Sequence, residues 1–174
     1  MPDKKRFGLN SPRELLAKLD WEMEQYNQSP AQQEIASYRA FNCAVTAWSL
    51  CDWVWNAASD DLKAKFRAAS PSSKTDSPEI LAALLRAESR ELAICQQLAN
   101  GAKHFVRNQN NDPQVSSLRL QSVSIFVGDD GQETRSVPTH GVFVRDDTKL
   151  YADISLFSRA RDYWHDFFER YQVE

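Results

Sequence analysis

Apolar residues recur at helical spacing in four stretches of the chain and at alternate positions in one. The first helical stretch, about 12–27, carries Leu15, Leu16, Leu19 and Met23 on one side. The second, about 31–58, aligns Phe41, Ala44, Val45, Trp48, Cys51 and Trp55 in one stripe when plotted at about 100° per residue. The third, about 78–108, places Leu81, Leu84, Leu92, Cys95, Leu98, Ala99, Ala102 and Val106 together, and "NQNNDP" stops it. The last, about 154–172, is heavily aromatic, with Phe157, Trp164, Phe167, Phe168 and Tyr171. Between the third and last stretches the period becomes two. Val123, Ile125 and Val127 alternate with Ser122, Ser124 and Phe126, and turn signals fall at 128–131 and 146–149.

Ser-Pro punctuates these elements at 11–12, 29–30, 70–71 and 77–78. Ser11 with Pro12 and Glu14, and Ser29 with Pro30 and Gln32, have the form of capping boxes, and Ser77-Pro78-Glu79 supplies a third helix start. A short helical turn and a Ser/Pro/Lys loop follow the second helix, in "SDDLKAKFRAASPSSKTDSP". Pro138 suits an edge strand or a bulge rather than a central strand. The expected fold is mainly α (α+β): a four-helix bundle with a small antiparallel β insert, about 116–153, before the C-terminal helix. Residues 1–174 form a single domain in this reading.

Composition supports an ordinary globular chain, 42% apolar and 26% charged. A net charge of −3 gives no global attraction to nucleic acid or anionic membrane, so a polyanion site has to be a local patch. The three cysteines, Cys43, Cys51 and Cys95, form no CxxC pair, and reduced thiols are expected. "MPDKKRFGLNSP" has no apolar leader-type core and no stretch is long enough to span a bilayer, so the expected location is cytoplasmic.

Candidate chemistry gathers at "QQLANGAKHF", residues 96–105. On the helical wheel His104 lies about 180° and Asn100 about 140° from Cys95, sharing a face with Gln97 and Arg107. Lys103 flanks them, and Gly101 permits close approach of a backbone or ligand. This polar face suits a second subunit or a cleft; it equally suits the exposed last turns of a helix, where a His stabilises the C-terminal dipole. Asp52 falls within the aromatic stripe, about 40° from Trp48, and there needs a partner or an upward pKa shift. A basic or indole donor from a neighbouring helix satisfies it, or it orients the Lys103/His104/Arg107 group. Trp53 lies on the other side, about 140° from Trp48, positioned for a partner chain.

Glu88 and Glu91 share the apolar face of the third helix, yet no Glu-x-x-His accompanies them, and neither metal nor cofactor is expected. His140, in a turn-like "PTHG", and His165, among charged neighbours, read as surface residues. No phosphate loop, dinucleotide fingerprint, nucleophile elbow or HExxH is present.

Two resemblances rest on these residues. "SPRELLAKLDWEMEQY", "AFNCAVTAWSLCDWVW" and "CQQLANGAKHF", with the β segment and aromatic last helix, resemble a widespread family of bacterial helical proteins of unassigned activity. "ANGAKH" resembles the motif of the HEPN superfamily of α-helical bundles: Arg, a polar residue, three more, then His. Asn100 and His104 match, and Ala99 stands where that family has Arg.

In active members two such motifs meet across a dimer, and the His assists attack of an RNA 2′-hydroxyl on the adjacent phosphate without metal. Here Arg107, about 4.5 Å along the axis from His104, or Lys103 is left to supply the cation. The resemblance therefore implies a homodimeric regulatory or defence-related protein with an RNA or protein partner. Metal-independent RNA cleavage or RNA binding through Asn100, His104 and Arg107 is the alternative. A small-molecule pocket between the second and third helices, around Asp52, is a third reading.

Overall fold

The computed structural model describes residues 7–28, 33–103, 112–127 and 133–174. Helix α1, Pro12–Asn27, begins as its sequence dictates: Ser11 Oγ accepts from the Glu14 amide at 3.2 Å, with Pro12 in the first turn. The Glu14 carboxylate accepts from the Asn10 amide, so the box closes one residue earlier than the usual pattern. The second expected box, at Ser29, lies outside the described residues.

Helix α2, Gln33–Ala57, is the central element, packing on α1 and on parts of every later layer. Its buried line is Ala36, Ala40, Cys43, Ala47, Leu50 and Val54, at alternating steps of four and three. Small residues on that line let neighbouring helices approach closely. The expected stripe is therefore corrected: Cys51 and Trp55 are buried, but Val45 and Trp48 are half-buried and Phe41 is 49% exposed.

What reads as a short turn after α2 is a full helix, α3, Asp60–Ala69. Ser59 caps it, and Phe66 pins it by burying its ring completely against Phe167 and Tyr171.

The expected third helix is two helices, α4 (Glu79–Glu88) and α5 (Arg90–Lys103). Ser89 separates them in an extended conformation, with φ −135° and ψ 112°. Its amide donates to the Leu85 carbonyl at 2.9 Å, closing α4. Its Oγ accepts from the Leu92 amide and its carbonyl from the Ala93 amide, both at 3.1 Å, opening α5. One buried serine thus satisfies orphan groups of two helix ends. Periodicity missed the break because apolar residues continue on both sides of it.

Strands β1 (Val115–Val127), β2 (Glu133–Asp146) and β3 (Lys149–Ala152) form an antiparallel meander in the order β1-β2-β3. Asp147, at φ 53°, turns the chain between β2 and β3. The first expected turn, at 128–131, lies outside the described residues. β3 pairs only with Phe143–Asp146. Pro138 lies in the central strand, but at a level where β1 alone is its partner, opposite Val123; its missing N–H is tolerated there.

Helix α6, Asp153–Tyr171, returns across the bundle and ends at Gln172, with φ 52°. Phe157, Trp164, Phe167 and Phe168 are each at most 1% exposed, and one contiguous buried cluster joins residues of α1 to α6 with β2 and β3. The fold is thus mainly helical, with a small three-stranded antiparallel sheet before the last helix. Among the described residues no helix is long and apolar enough to cross a membrane.

All three cysteines are buried and none forms a disulfide among the described residues. Burial pushes the Cys51 and Cys95 thiols far above the ordinary thiol range, with Asp52 adding to the shift at Cys51 and Cys43 at Cys95. A thiol-specific aromatic disulfide is therefore expected to titrate no cysteine in native protein and three after unfolding in guanidinium. Because the folded pKa values are raised, their stabilising contribution is complete below the free-thiol pKa. It erodes as pH climbs above about 8.5.

Candidate functional site

A groove of about 550 Å³ opens where α2, α5 and the sheet meet. Ser37 and Phe41 of α2 face Gln97, Leu98 and Gly101 of α5. Val115, Ser116, Ser117 and Leu118 of β1 form the opposite rim, and Val142, Val144 and Phe157 lie beneath. Every described lining residue is neutral. The volume is of the order that holds a drug-sized molecule or a short peptide, about 300–1,000 Å³.

The local structure follows from sequence. Ala40 and Ala44 keep the α2 wall low, so Phe41 stands at its flank. Gly101 presents bare backbone, and a Cβ built on it meets nothing within 4 Å. Gly101 is therefore not required by any packed neighbour, and it leaves the groove wide at that level. The Ser116 hydroxyl is buried and has no hydrogen-bond partner among the described residues. An orphan hydroxyl of this kind costs about 1–3 kcal/mol until something satisfies it.

A charge clamp fixes the rim. Arg90 Nε donates to Asp146 Oδ2 at 2.9 Å, and its Nη2 donates to Asp112 Oδ2 at 2.9 Å and to Asp146 Oδ1. The start of α5 is thereby tied to the entry of β1 and the end of β2. The Asp112 amide donates to Gln97 Oε1 at 3.2 Å, linking the clamp to a groove residue. The Arg90 hydrogen bond holds the Asp112 carboxyl below its ordinary range, helped by the Gln114 amide, and the two carboxylates raise Arg90 further.

Of the sequence-predicted site residues, Asn100 is half-buried on α5, next to Gly101 but outside the groove lining. Ala99 is 1% exposed, in the core as its place on the wheel requires. Lys103 is the last residue of α5, and its side chain is outside the described set, as are residues His104 and Arg107.

Asp52 is corrected. It is solvent-exposed, because the buried line of α2 runs through Leu50 and Val54 and turns Asp52 outward. Its carbonyl accepts from Asn56 Nδ2 at 2.7 Å. It also stands two turns beyond Ala44, about 12 Å along the helix, so the groove does not lie around it. Trp53 is half-buried against the core.

The two glutamates separate as well, because Ser89 resets the helical phase between them. Glu88 is exposed, accepting from Tyr163 Oη and Arg170 Nη2 at 2.6 Å each. Glu91 lies 3.6 Å from Arg159. Among the described residues no group of His, Cys, Asp or Glu is arranged to hold a metal ion. His165 is exposed, 3.0 Å from Asp20. His140 belongs to β2, opposite Gln121, rather than to a turn.

Gln97 and Gly101 line the groove together with Leu98, which the wheel put on the opposite, apolar face, and nothing in that wheel pointed to Ser37, Phe41 or the start of β1. The signal for Phe41 was present: the alanines at 36, 40, 44 and 47 mark the packed side of α2 more faithfully than the large residues do. Comparison with protein-family models, with curated proteins and with solved structures finds no match to this chain.

Proposed function

We propose that this chain is a self-associating, non-catalytic helical protein of HEPN-like type, with a regulatory role and a homodimeric working form. The observation that carries this reading is the neutral groove. Its described walls offer hydroxyls, an amide and apolar surface, and among the described residues no general acid, base or cation lines it. Such a surface binds; it does not by itself move protons. Phe41, 49% exposed at the groove, and Tyr38, 65% exposed three residues earlier on α2, extend the surface with side chains that interfaces favour.

The second reading is metal-independent RNA cleavage by Asn100, His104 and a cation from Arg107 or Lys103. Its support is the half-buried Asn100, next in sequence to the groove residue Gly101. In this reading the paired motifs of two copies act on one RNA strand.

Light scattering on the purified protein over a hundredfold concentration range is expected to give twice the chain mass. Mixed RNA incubated with it in EDTA is expected to remain intact. Cleavage that His104→Ala abolishes overturns the non-catalytic reading in favour of the second. A single-chain mass at every concentration overturns self-association.

A further inference from the structure

We propose that the groove between α2, α5 and the sheet holds one uncharged, mainly apolar small molecule that carries a hydrogen-bonding group. This occupant rests on the non-catalytic binding reading given above and deepens it, and it suits a single chain as well as a dimer.

Size and rigidity come first. A space of about 550 Å³ has room for a molecule of drug size. Its frame is held without a ligand, because Arg90 ties the start of α5 to Asp112 at the entry of β1 and to Asp146 at the end of β2. Small-molecule sites are mostly concave and formed in advance in this way.

The lining then selects the chemistry. Ala40, Ala44, Val144 and Phe157, the most enclosed residues of the groove, are each at most 6% exposed and wholly apolar. Water against such a surface is displaced favourably by an apolar body. Among the described residues no charged side chain lines the groove. The Arg90 guanidinium, linked to it through Asp112 and Gln97, is already engaged by two carboxylates. An ionic ligand would leave water for a wall with no counter-charge, a far costlier transfer than that of a neutral polar group.

One polar contact is nevertheless left open. Ser116 is half-buried and lines the groove, and its hydroxyl oxygen is buried without a partner among the described residues. Most buried polar atoms in folded proteins are paired. A hydroxyl both donates and accepts, so a carbonyl, hydroxyl or N–H group of a bound molecule completes it. Ser116 thereby gives the site a direction: the ligand's polar group at β1, its apolar body toward Phe41 and Leu98 of the helices.

Two dyes with one skeleton test the class of ligand. N-phenyl-1-naphthylamine is uncharged, has a single N–H and brightens on leaving water. 8-Anilinonaphthalene-1-sulfonate is the same molecule with a negative charge added. The neutral dye is expected to bind once per chain and about tenfold more tightly than the sulfonate. Equal affinities, or a preference for the sulfonate, overturn the proposal.

Three variants test the place. A Cβ at Gly101 meets nothing within 4 Å, and leucine suits a helix interior better than glycine, so Gly101→Leu narrows the groove without disturbing the fold. Phe41→Ala removes a half-exposed wall and leaves the core intact. Each is expected to weaken neutral-dye binding by about tenfold with little change in melting temperature. Ser116→Ala is expected to weaken it by about fivefold, the loss of one hydrogen bond. Native affinity in both wall variants, or in Ser116→Ala, overturns the proposal.

The oligomeric mass is measured in parallel. A dimeric mass with no dye bound overturns this occupant and leaves self-association standing. A single-chain mass with one dye bound does the reverse. Dye affinity that falls as the chains associate assigns the groove to a second copy and overturns the proposal.

Discussion

Trp164→Ala is expected to remove about 4 kcal/mol of stability, the largest effect of any single truncation considered for this chain. The indole is completely buried. Its ring meets Phe167 at 5.4 Å and Phe168 at 6.1 Å, each nearly edge-on, so truncation forfeits aromatic contacts as well as area. Its Nε1 donates to the Ala47 carbonyl at 2.8 Å, linking α6 to α2 across 117 residues of sequence. A domain has about 5–15 kcal/mol in total, so at least a quarter of the margin goes.

At about 2–4 °C per kcal/mol for a chain of this size, the melting temperature should fall by roughly 8–16 °C. Trp164→Phe separates the two contributions. It keeps much of the volume and loses the hydrogen bond and part of the packing, for about 1–2 kcal/mol. Urea unfolding measures both. A loss below about 1 kcal/mol for the alanine variant would mean that α6 does not seat on α2 through this ring.

The second large effect is expected at Lys18. Glu22 is only 5% exposed, and its Oε1 is paired with Lys18, whose Nζ also donates to Thr46 Oγ1 at 2.8 Å. Glu22 Oε2 is buried with no partner. Removing one member of a buried pair strands the other charge, at about 3–5 kcal/mol. Lys18 is 39% exposed, so solvent screens the pair and the expected cost of Lys18→Met is nearer about 2 kcal/mol.

Glu22→Leu should behave differently, because it deletes the buried charge and its orphan oxygen together and leaves Lys18 free to reach water. It is expected to lie within about 1 kcal/mol of the native protein, and the double variant Lys18→Met/Glu22→Leu should recover most of the Lys18→Met loss. Equal losses for the two single variants would sink this account, since they would make the pair a net stabiliser rather than a buried burden.

How legible the molecule was depended on the kind of signal. Where a local rule and the tertiary structure agree, the reading held: Ser11 and Pro12 start α1, alternation marks the strands, and the aromatic last helix supplies the largest core residues. The failures have one physical source, which is that residue size does not report packing. On α2 the large residues Phe41 and Trp48 suggested a buried stripe, yet the alanines and Cys43 face the neighbouring helices because close approach needs small side chains. That error rotated the expected core and carried Asp52 inward with it, whereas Asp52 faces water.

The groove was only half visible. Gln97 and Gly101 belong to a helix whose phase is readable from sequence. The opposite rim is brought there by a strand from a later segment, a placement fixed by the Arg90 clamp on Asp112 and Asp146. No periodicity encodes such a long-range juxtaposition.

Ser89 has a consequence for how α4 and α5 are aimed. In an uninterrupted helix, inserting one residue turns everything downstream by about 100°, which would swing Gln97 and Gly101 off the groove. Here the serine ends one winding through its amide and starts a fresh one from its hydroxyl and carbonyl contacts. The phase of α5 is therefore set at Ser89 and not by continuation of the helix before it. The break thus lets α4 and α5 each turn a different face to the core, which one continuous winding could not do.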